Sequence, residues 1–565
     1  PMLFYSSVLE SLAEDAARLS GVQHNLFGQP VSTGLRRLNP GIARGALYTD
    51  TEARALPAGS PPAIWLVPET TADLPPVAGI LTTEEGNALS HVQLLARNLG
   101  IPNVVVGRSL MDSLLSRRGK TIVLAASPGG IIRIEEDGPQ WKSTFAGQEA
   151  PGTPRHFIAV NLQKLDLGPR RFIPTRELSA ADSGRSVGPK AAQVGELGKQ
   201  FPGQVSPGLA IPFGIFRSVL DRPREPGKPP SMFNWMQAQY AEMALLNPEQ
   251  RAVRVKEYLA YVRDWISAQD LGAELKPVLR DAMNSSFGED GSYGVFVRSD
   301  TNIEDLPGFT GAGLNKTVPN VVGFDNVLKA IKEVWISPFT ERSFGWRQGL
   351  MDKPEHVYAS VLLHKSVPND KSGVLITADI DTGDTRFLTI VTNAGVGGGV
   401  DGQAAETLRV FLPTGEVRLL SSVTAPLRRV LLKDGGSRMS GAPAPDQLLM
   451  PEELAQLVNL AKTLPGKYPQ LVDAQGRPAP ADIEFGFLDG KLMLFQIRPF
   501  LQNQTAMRNQ FLNQLDAGLR RDPAVAARKL DLRETPPVVP PEPTPQPGPI
   551  IQIPAGDVFT AAHVP

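Results

Sequence analysis

Two carboxylates, Asp482 and Glu484, stand two positions apart in "DIEFGFLDGKLMLFQIRPF", so on a strand they share one face. The "LDG" between the apolar runs is a turn signal, and the segment reads as a hairpin. Its returning strand carries Gln496 and Arg498 on one face by the same period. Paired carboxylates are hard oxygen donors suited to Mg2+, which is commonly shared with nucleotide phosphates. Arg498 can clamp a phosphate oxygen. The competing reading is a cross-strand salt bridge, Asp482 to Arg498, on a solvated face.

A second group lies far upstream. In "NALSHVQLLARNLGIP", Val92, Leu95 and Leu99 fall at helical spacing, Ser90 suits an N-cap, and Gly100 and Pro102 end the helix. That puts His91 in the first turn, where the helix dipole opposes protonation of the imidazole. A neutral imidazole is the form that attacks phosphorus; the plainer alternative is a surface residue beside a cap. Lys190 follows a Gly-Pro turn in "SVGPKAAQVGEL", again at a helix start, although the glycine spacing of a P-loop is absent. Arg298 ends the apolar strand "GVFVRSD" and precedes the Gly-rich run "LPGFTGAG", whose backbone can approach a ligand closely.

The chain that must position these groups has 565 residues, 41% hydrophobic and 20% charged, enough for several cores. Its net charge of -1 gives no electrostatic footprint for nucleic acid. With no cysteine, disulfides, thiolate metal sites and a cysteine nucleophile are excluded. No apolar run is long enough to span a bilayer. The start lacks the order of a signal peptide, although a chain beginning at Pro1 says little about export. The expectation is a soluble, cytoplasmic protein.

Patterning divides the chain into an N-terminal helical segment (1–37), a small α/β domain (38–136) and a Gly/Pro-rich linker (137–155). A large α+β region (156–503) follows, then a helical extension (504–533) and a Pro-rich, polyproline-like tail (534–565). The tail suits a spacer, a docking strap for a protein partner, or a disordered segment.

Read in order, these segments resemble the phosphoenolpyruvate synthase and pyruvate phosphate dikinase family. "NPGIARG" and "GILTTEEGNALSHVQLLARNLGIPNVVVG" look like its swivelling β/β/α phosphohistidine domain, with His91 at the phosphorylated position. "SVGPKAAQVGELGKQFPGQVSPGLAIP", "GVFVRSDTNIEDLPGFTGAG", "VWISPFTERSFGWR", "KSGVLITAD" and the hairpin look like its ATP-grasp nucleotide-binding domain. The histidine domain comes first, as in glucan, water dikinases, and no stretch is left for a pyruvate-binding barrel of about 250 residues.

The resemblance implies ATP as substrate and Mg2+ as cofactor. It makes Asp482 and Glu484 metal ligands, and Lys190, Arg298, Gln496 and Arg498 nucleotide contacts. Arg342 and Arg347 match an arginine-bearing helix, with Arg342 the nucleotide contact. It also implies that the ATP β-phosphoryl passes to His91 and on to an unidentified acceptor: a polysaccharide, a small molecule or a protein. Two positions depart from the family pattern. Gly398 stands where a nucleoside-holding Glu is usual, and His364 where Gln is usual. They motivate the alternative of a catalytically impaired scaffold or assembly subunit that keeps the fold. The other histidines, His24, His156, His356 and His563, show no metal-like clustering.

Overall fold

Phe27 and Gly28 take positive φ, 51° and 85°, and Leu26 faces Gln29 across them. This is a two-residue hairpin turn of the kind that matches strand twist. The computed structural model describes residues 21–519 apart from 32–33, 55, 57–60, 62, 69–76, 84–88, 90, 147–158, 305–314, 399–404, 424, 443–446 and 474. The hairpin therefore corrects the helical expectation for the described part of 1–37. His24–Leu26, Gln29–Val31 and Leu35–Asn39 are strands, because the turn-forming pair folds the chain back before helical spacing can be sustained.

All three belong to a nine-stranded sheet that also holds the strands between Gly41 and Glu136. At its centre Gly41–Thr49, Ile64–Val67, Gly79–Thr82 and Asn103–Val106 run parallel. Ile64–Val67 and Gly79–Thr82 are buried at every position, as strands covered on both faces must be. The crossover from Gly79–Thr82 to Asn103–Val106 is the helix His91–Asn98.

Two further sheets build the rest. A five-stranded sheet runs in the order Ile173–Pro174, Gly208–Ile211, Ala359–Lys365, Gly294–Thr301, Thr317–Val322. Its core includes Phe216, Tyr258, Val262, Ile331 and Trp335 from the helices packed on it. A six-stranded antiparallel sheet runs Glu416–Ser421, Glu406–Phe411, Phe387–Ala394, Lys371–Ile376, Ala481–Leu488, Lys491–Pro499. One face of it, through Ile483, Phe485 and Phe487, packs on Leu457, Leu460 and Leu464 of the helix Pro451–Lys467. The architecture is thus mixed α/β with several sheets.

The expected linker is not a linker over its first half. Trp141 and Phe145 are buried with Ile42, Val123, Ala125, Ala506 and Leu512, and the Trp141 ring meets Phe511 edge-on at 5.1 Å between centroids. Aromatic burial outweighs the local Gly and Pro content that suggested a spacer; residues 147–158 lie outside the described residues. Over its described residues, 504–519, the extension forms two short helices, Gln504–Arg508 and Gln510–Leu515, and a 3-10 turn, Asp516–Gly518. Asn509 caps the second by accepting from the Leu512 N–H at 3.0 Å. The Pro-rich tail lies outside the described residues.

Trp141 therefore makes a clear prediction. Trp141→Ala should cost about 3 kcal/mol or more and lower the thermal midpoint; a change below roughly 0.5 kcal/mol, typical of an exposed segment, would reinstate the linker reading.

Candidate functional site

Gly188 lets the helix Pro189–Gln200 begin against the strand Gly294–Thr301, since a Cβ there would lie 2.4 Å from the Asp300 carbonyl oxygen. The helix start is then occupied from within the chain. The Asp300 carboxylate accepts from the backbone N–H of Gly188 at 2.9 Å and of Lys190 at 2.7 Å, and from the Ser360 hydroxyl at 2.9 Å. This satisfies donors that a helix end leaves open. The Lys190 ammonium donates to the Ser299 carbonyl at 2.8 Å and to the Glu304 carboxylate. Glu304 is further held by the Ser299 hydroxyl at 3.0 Å and the Asn315 amide at 2.8 Å.

From the same strand Arg298 reaches across to the six-stranded sheet. It donates to the Phe495 carbonyl at 3.0 Å, the Gln496 Oε1 at 2.8 Å and the Glu484 carboxylate at 3.2 Å. On that sheet Asp482 lies opposite Arg498 and Glu484 opposite Gln496. Directly paired residues share a face, so the expected hairpin and its four-residue face are both formed. Arg498 Nε donates to Asp482 Oδ2 at 2.8 Å, and both side chains are only 4% exposed. The cross-strand ion pair thus exists, but on a buried face, not a solvated one.

Strand pairing extends this face. Ile376 lies opposite Asp482 and Val374 opposite Glu484 and Val391. Val374, Ile376 and Val391 pack with Leu89, Leu94, Ala378 and Phe500. The helix His91–Asn98 therefore sits by Leu94 on the carboxylate-bearing face, with His91 as its first residue. The Ser90 cap lies outside the described residues. The structure brings Lys190, Arg298, Asp482, Glu484, Gln496 and Arg498 into connected groups at the junction of two sheets.

The arginine helix is divided. Arg342 lies in the first turn of Glu341–Leu350 and is half-buried. It shares a helix face with Trp346, which packs with Trp65 and Ile80 of the nine-stranded sheet and Leu95 of the helix His91–Asn98. Arg347 is a core residue and no site candidate. It is buried, donates to the Pro338 carbonyl, and lies 5.9 Å from the ring centroids of both Phe339 and Phe344.

The departures fall close by. His364 shares the Arg298 face of its sheet, since Phe296 pairs with His364 and Arg298 with Leu362. Burial, aided by the Arg298 charge, holds its imidazole down to about 3. Its Nε2 has no hydrogen-bond partner among the described residues. Gly398 is buried in the turn after Phe387–Ala394. His24 is structural: its Nδ1 accepts from the Ile132 N–H at 3.1 Å. His356 pairs with the Tyr358 hydroxyl at 3.2 Å, while His156 and His563 lie outside the described residues. Sequence reading missed Asp300 and Glu304. Their only signal was two acids close behind Arg298 in "RSDTNIE".

Among the described residues no three His, Asp or Glu side chains cluster to hold a metal by themselves. No described helix is long and apolar enough to cross a membrane.

Residues 184–518 match the family model for the AMP/ATP-binding domain of pyruvate phosphate dikinase, well over half of the chain. Residues 63–129 match the mobile domain of PEP-utilising enzymes. The chain belongs to the pyruvate phosphate dikinase and PEP synthase family. It is 28% identical over 337 residues to a rifampicin phosphotransferase of Streptomyces sp, covering 58% of this chain and 36% of that protein. It is 27% identical over 335 residues to the phosphoenolpyruvate synthase of Neisseria meningitidis, covering 55% and 40%. With a probable phosphoenolpyruvate synthase of Pyrococcus abyssi the identity is 26% over 262 residues, covering 44% and 31%. The chain thus spans about a third of the length of the first of these relatives.

Burial, reinforced by the Glu304 charge, pushes the Asp300 carboxyl up to about 6, against the pull of Lys190 and the Ser360 hydroxyl. A carboxyl with a raised folded-state pKa binds its proton more tightly when folded. Its stabilising contribution is complete below about pH 4 and is lost as pH rises through about 6. Asp300→Asn should therefore gain on the wild type in melting temperature between those values; parallel profiles would mean that Asp300 titrates normally.

Proposed function

We propose that this chain is a dikinase-type phosphotransferase in which His91 carries a phosphoryl group from ATP to a hydroxyl-bearing acceptor. In this reading residues 38–136 are the swivelling phosphohistidine domain and 156–503 an ATP-grasp nucleotide-binding domain. The observation that carries it is the seating of the His91 helix on the face that bears Asp482 and Glu484. A phosphoryl donor bound against those carboxylates lies on the same side of the sheet as the proposed carrier.

The chemistry asks mainly for alignment and charge neutralisation. ATP gives its β-phosphoryl to the His91 imidazole, the γ-phosphoryl leaves with water as inorganic phosphate, and AMP remains. Arg298 and Arg498 are held in buried ion pairs, so they offer fixed positive charge with little reorganisation. Lys190 exchanges its Glu304 partner for a phosphate oxygen. The donor chemistry of Asp482 and Glu484 fits Mg2+: two hard carboxylates on one face, with remaining positions left to phosphates and water. When bound, Mg2+ supplies neutralisation of the phosphate charge. Each carboxylate is engaged by a guanidinium, so metal and arginine compete for the same oxygens.

The acceptor is proposed only by class, as a polysaccharide, a small molecule or a protein. One relative's name specifies rifampicin, an instance of a small-molecule acceptor in that protein.

Incubation with Mg2+ and ATP labelled at the β position should give acid-labile label on the protein, abolished in His91→Ala and by EDTA. Label at the γ position should appear as inorganic phosphate. ATP binding without any β-label on the protein would exclude the relay and leave a nucleotide-binding scaffold.

A further inference from the structure

The helix His91–Asn98 is held to the six-stranded sheet by two different kinds of contact. Leu94, together with Leu89 from just before the helix, supplies an apolar patch against Val374, Ile376 and Phe500. Apolar contact is non-directional and fixes neither the tilt nor the register of the helix. Arg97, in the last turn, supplies direction. Its guanidinium donates to the Leu38 carbonyl of the histidine-bearing sheet at 3.2 Å and to the Ile380 carbonyl, just past the end of Lys371–Ile376, at 2.8 Å. One planar fork thus ties the helix both to its own sheet and to the nucleotide region.

The acceptor loop is built in advance. Asp379 accepts from the backbone N–H groups of Asp381 at 3.1 Å and Thr382 at 2.9 Å, and from the Thr382 hydroxyl at 3.0 Å. Arg409 completes its set at 3.2 Å. The turn therefore presents the Ile380 carbonyl and the Asp381 carboxylate in fixed places. Asp381 forms an ion pair with Arg37 at 3.0 Å, and Arg37 lies on Leu35–Asn39, the strand that also provides the Leu38 carbonyl.

We propose that Arg97, with Arg37 and Asp381, forms a polar latch that positions His91 against the carboxylate face. The inference rests on the phosphoryl-relay reading for its functional meaning, though not for its geometry. Arg97 lies six residues beyond His91, about 9 Å along the helix axis, so fixing one end of so short a rod fixes the other. Only the Arg37–Asp381 limb is open to water, Asp381 being half exposed. That limb is weak and screened by salt, which suits a contact that must form and release. These are positioning residues, acting through the helix.

The test uses the full chain with Arg97→Lys, Asp381→Asn and Asp381→Glu. Three quantities are read: the rate of acid-labile β-labelling at saturating ATP, the ATP dissociation constant, and amide hydrogen exchange across residues 91–98. Arg97→Lys should slow labelling by about tenfold or more and Asp381→Asn by a smaller factor. Both should leave ATP affinity unchanged and speed exchange in the helix, and Asp381→Glu should restore labelling. If Arg97→Lys fails to fold, Asp381→Asn, which alters a half-exposed side chain, still decides. Unchanged labelling and exchange in Asp381→Asn, or a parallel loss of ATP affinity, would overturn the latch. A wild type that binds ATP but never labels defeats the relay reading instead, and the exchange comparison alone then decides the latch.

Discussion

The guanidinium of Arg298 spans two sheets, and the arrangement of the site depends on it. It leaves one sheet on Gly294–Thr301 and ends among a carbonyl, an amide and a carboxylate of the other. Taking such a charge out of water is costly unless its donors are satisfied. The junction of the sheets is therefore fixed to the geometry of one planar fork. Asp300 and Glu304, from the same stretch of chain, then order the start of the Lys190 helix. Cations and carboxylates occupy one another in this state.

Much of this was readable in the sequence where the physics is local. A period of two put Asp482 with Glu484 and Gln496 with Arg498, and the register confirms both pairs. Helical spacing and the Gly-Pro stop gave the helix at His91. What escaped depends on partners distant in sequence. Nothing near Asp300 says that it caps a helix more than a hundred residues upstream, and nothing near Arg97 names Ile380 as its acceptor. Trp141 and Phe145 were hidden by the glycines and prolines around them, although two aromatics four apart are poor candidates for a solvated spacer. Arg347 entered only through the resemblance to an arginine-bearing helix, and local sequence did not show that it packs among rings.

The departures from the family pattern differ in kind. Gly398 removes a carboxylate from a buried turn and leaves backbone only. His364 substitutes a ring for an amide and brings a neutral imidazole beside Arg298, because burial and that charge both disfavour the proton. Neither disturbs the ion pairs that hold the sheets together, so the framework tolerates variation at these two points.

The short helices after Asn503 carry a mechanical consequence. The chain leaves the histidine-bearing sheet beyond Phe145, builds the other two sheets, and then comes back. Asn503 donates to the Pro40 carbonyl at 2.7 Å, and Asp516 accepts from the Ser127 hydroxyl at 2.5 Å and the Gly129 N–H at 2.7 Å. The strap ending at Asp516 thus works as a second stitch in a seam: a pull on the chain beyond Asn503 is shared between two bonding points and does not fall on one.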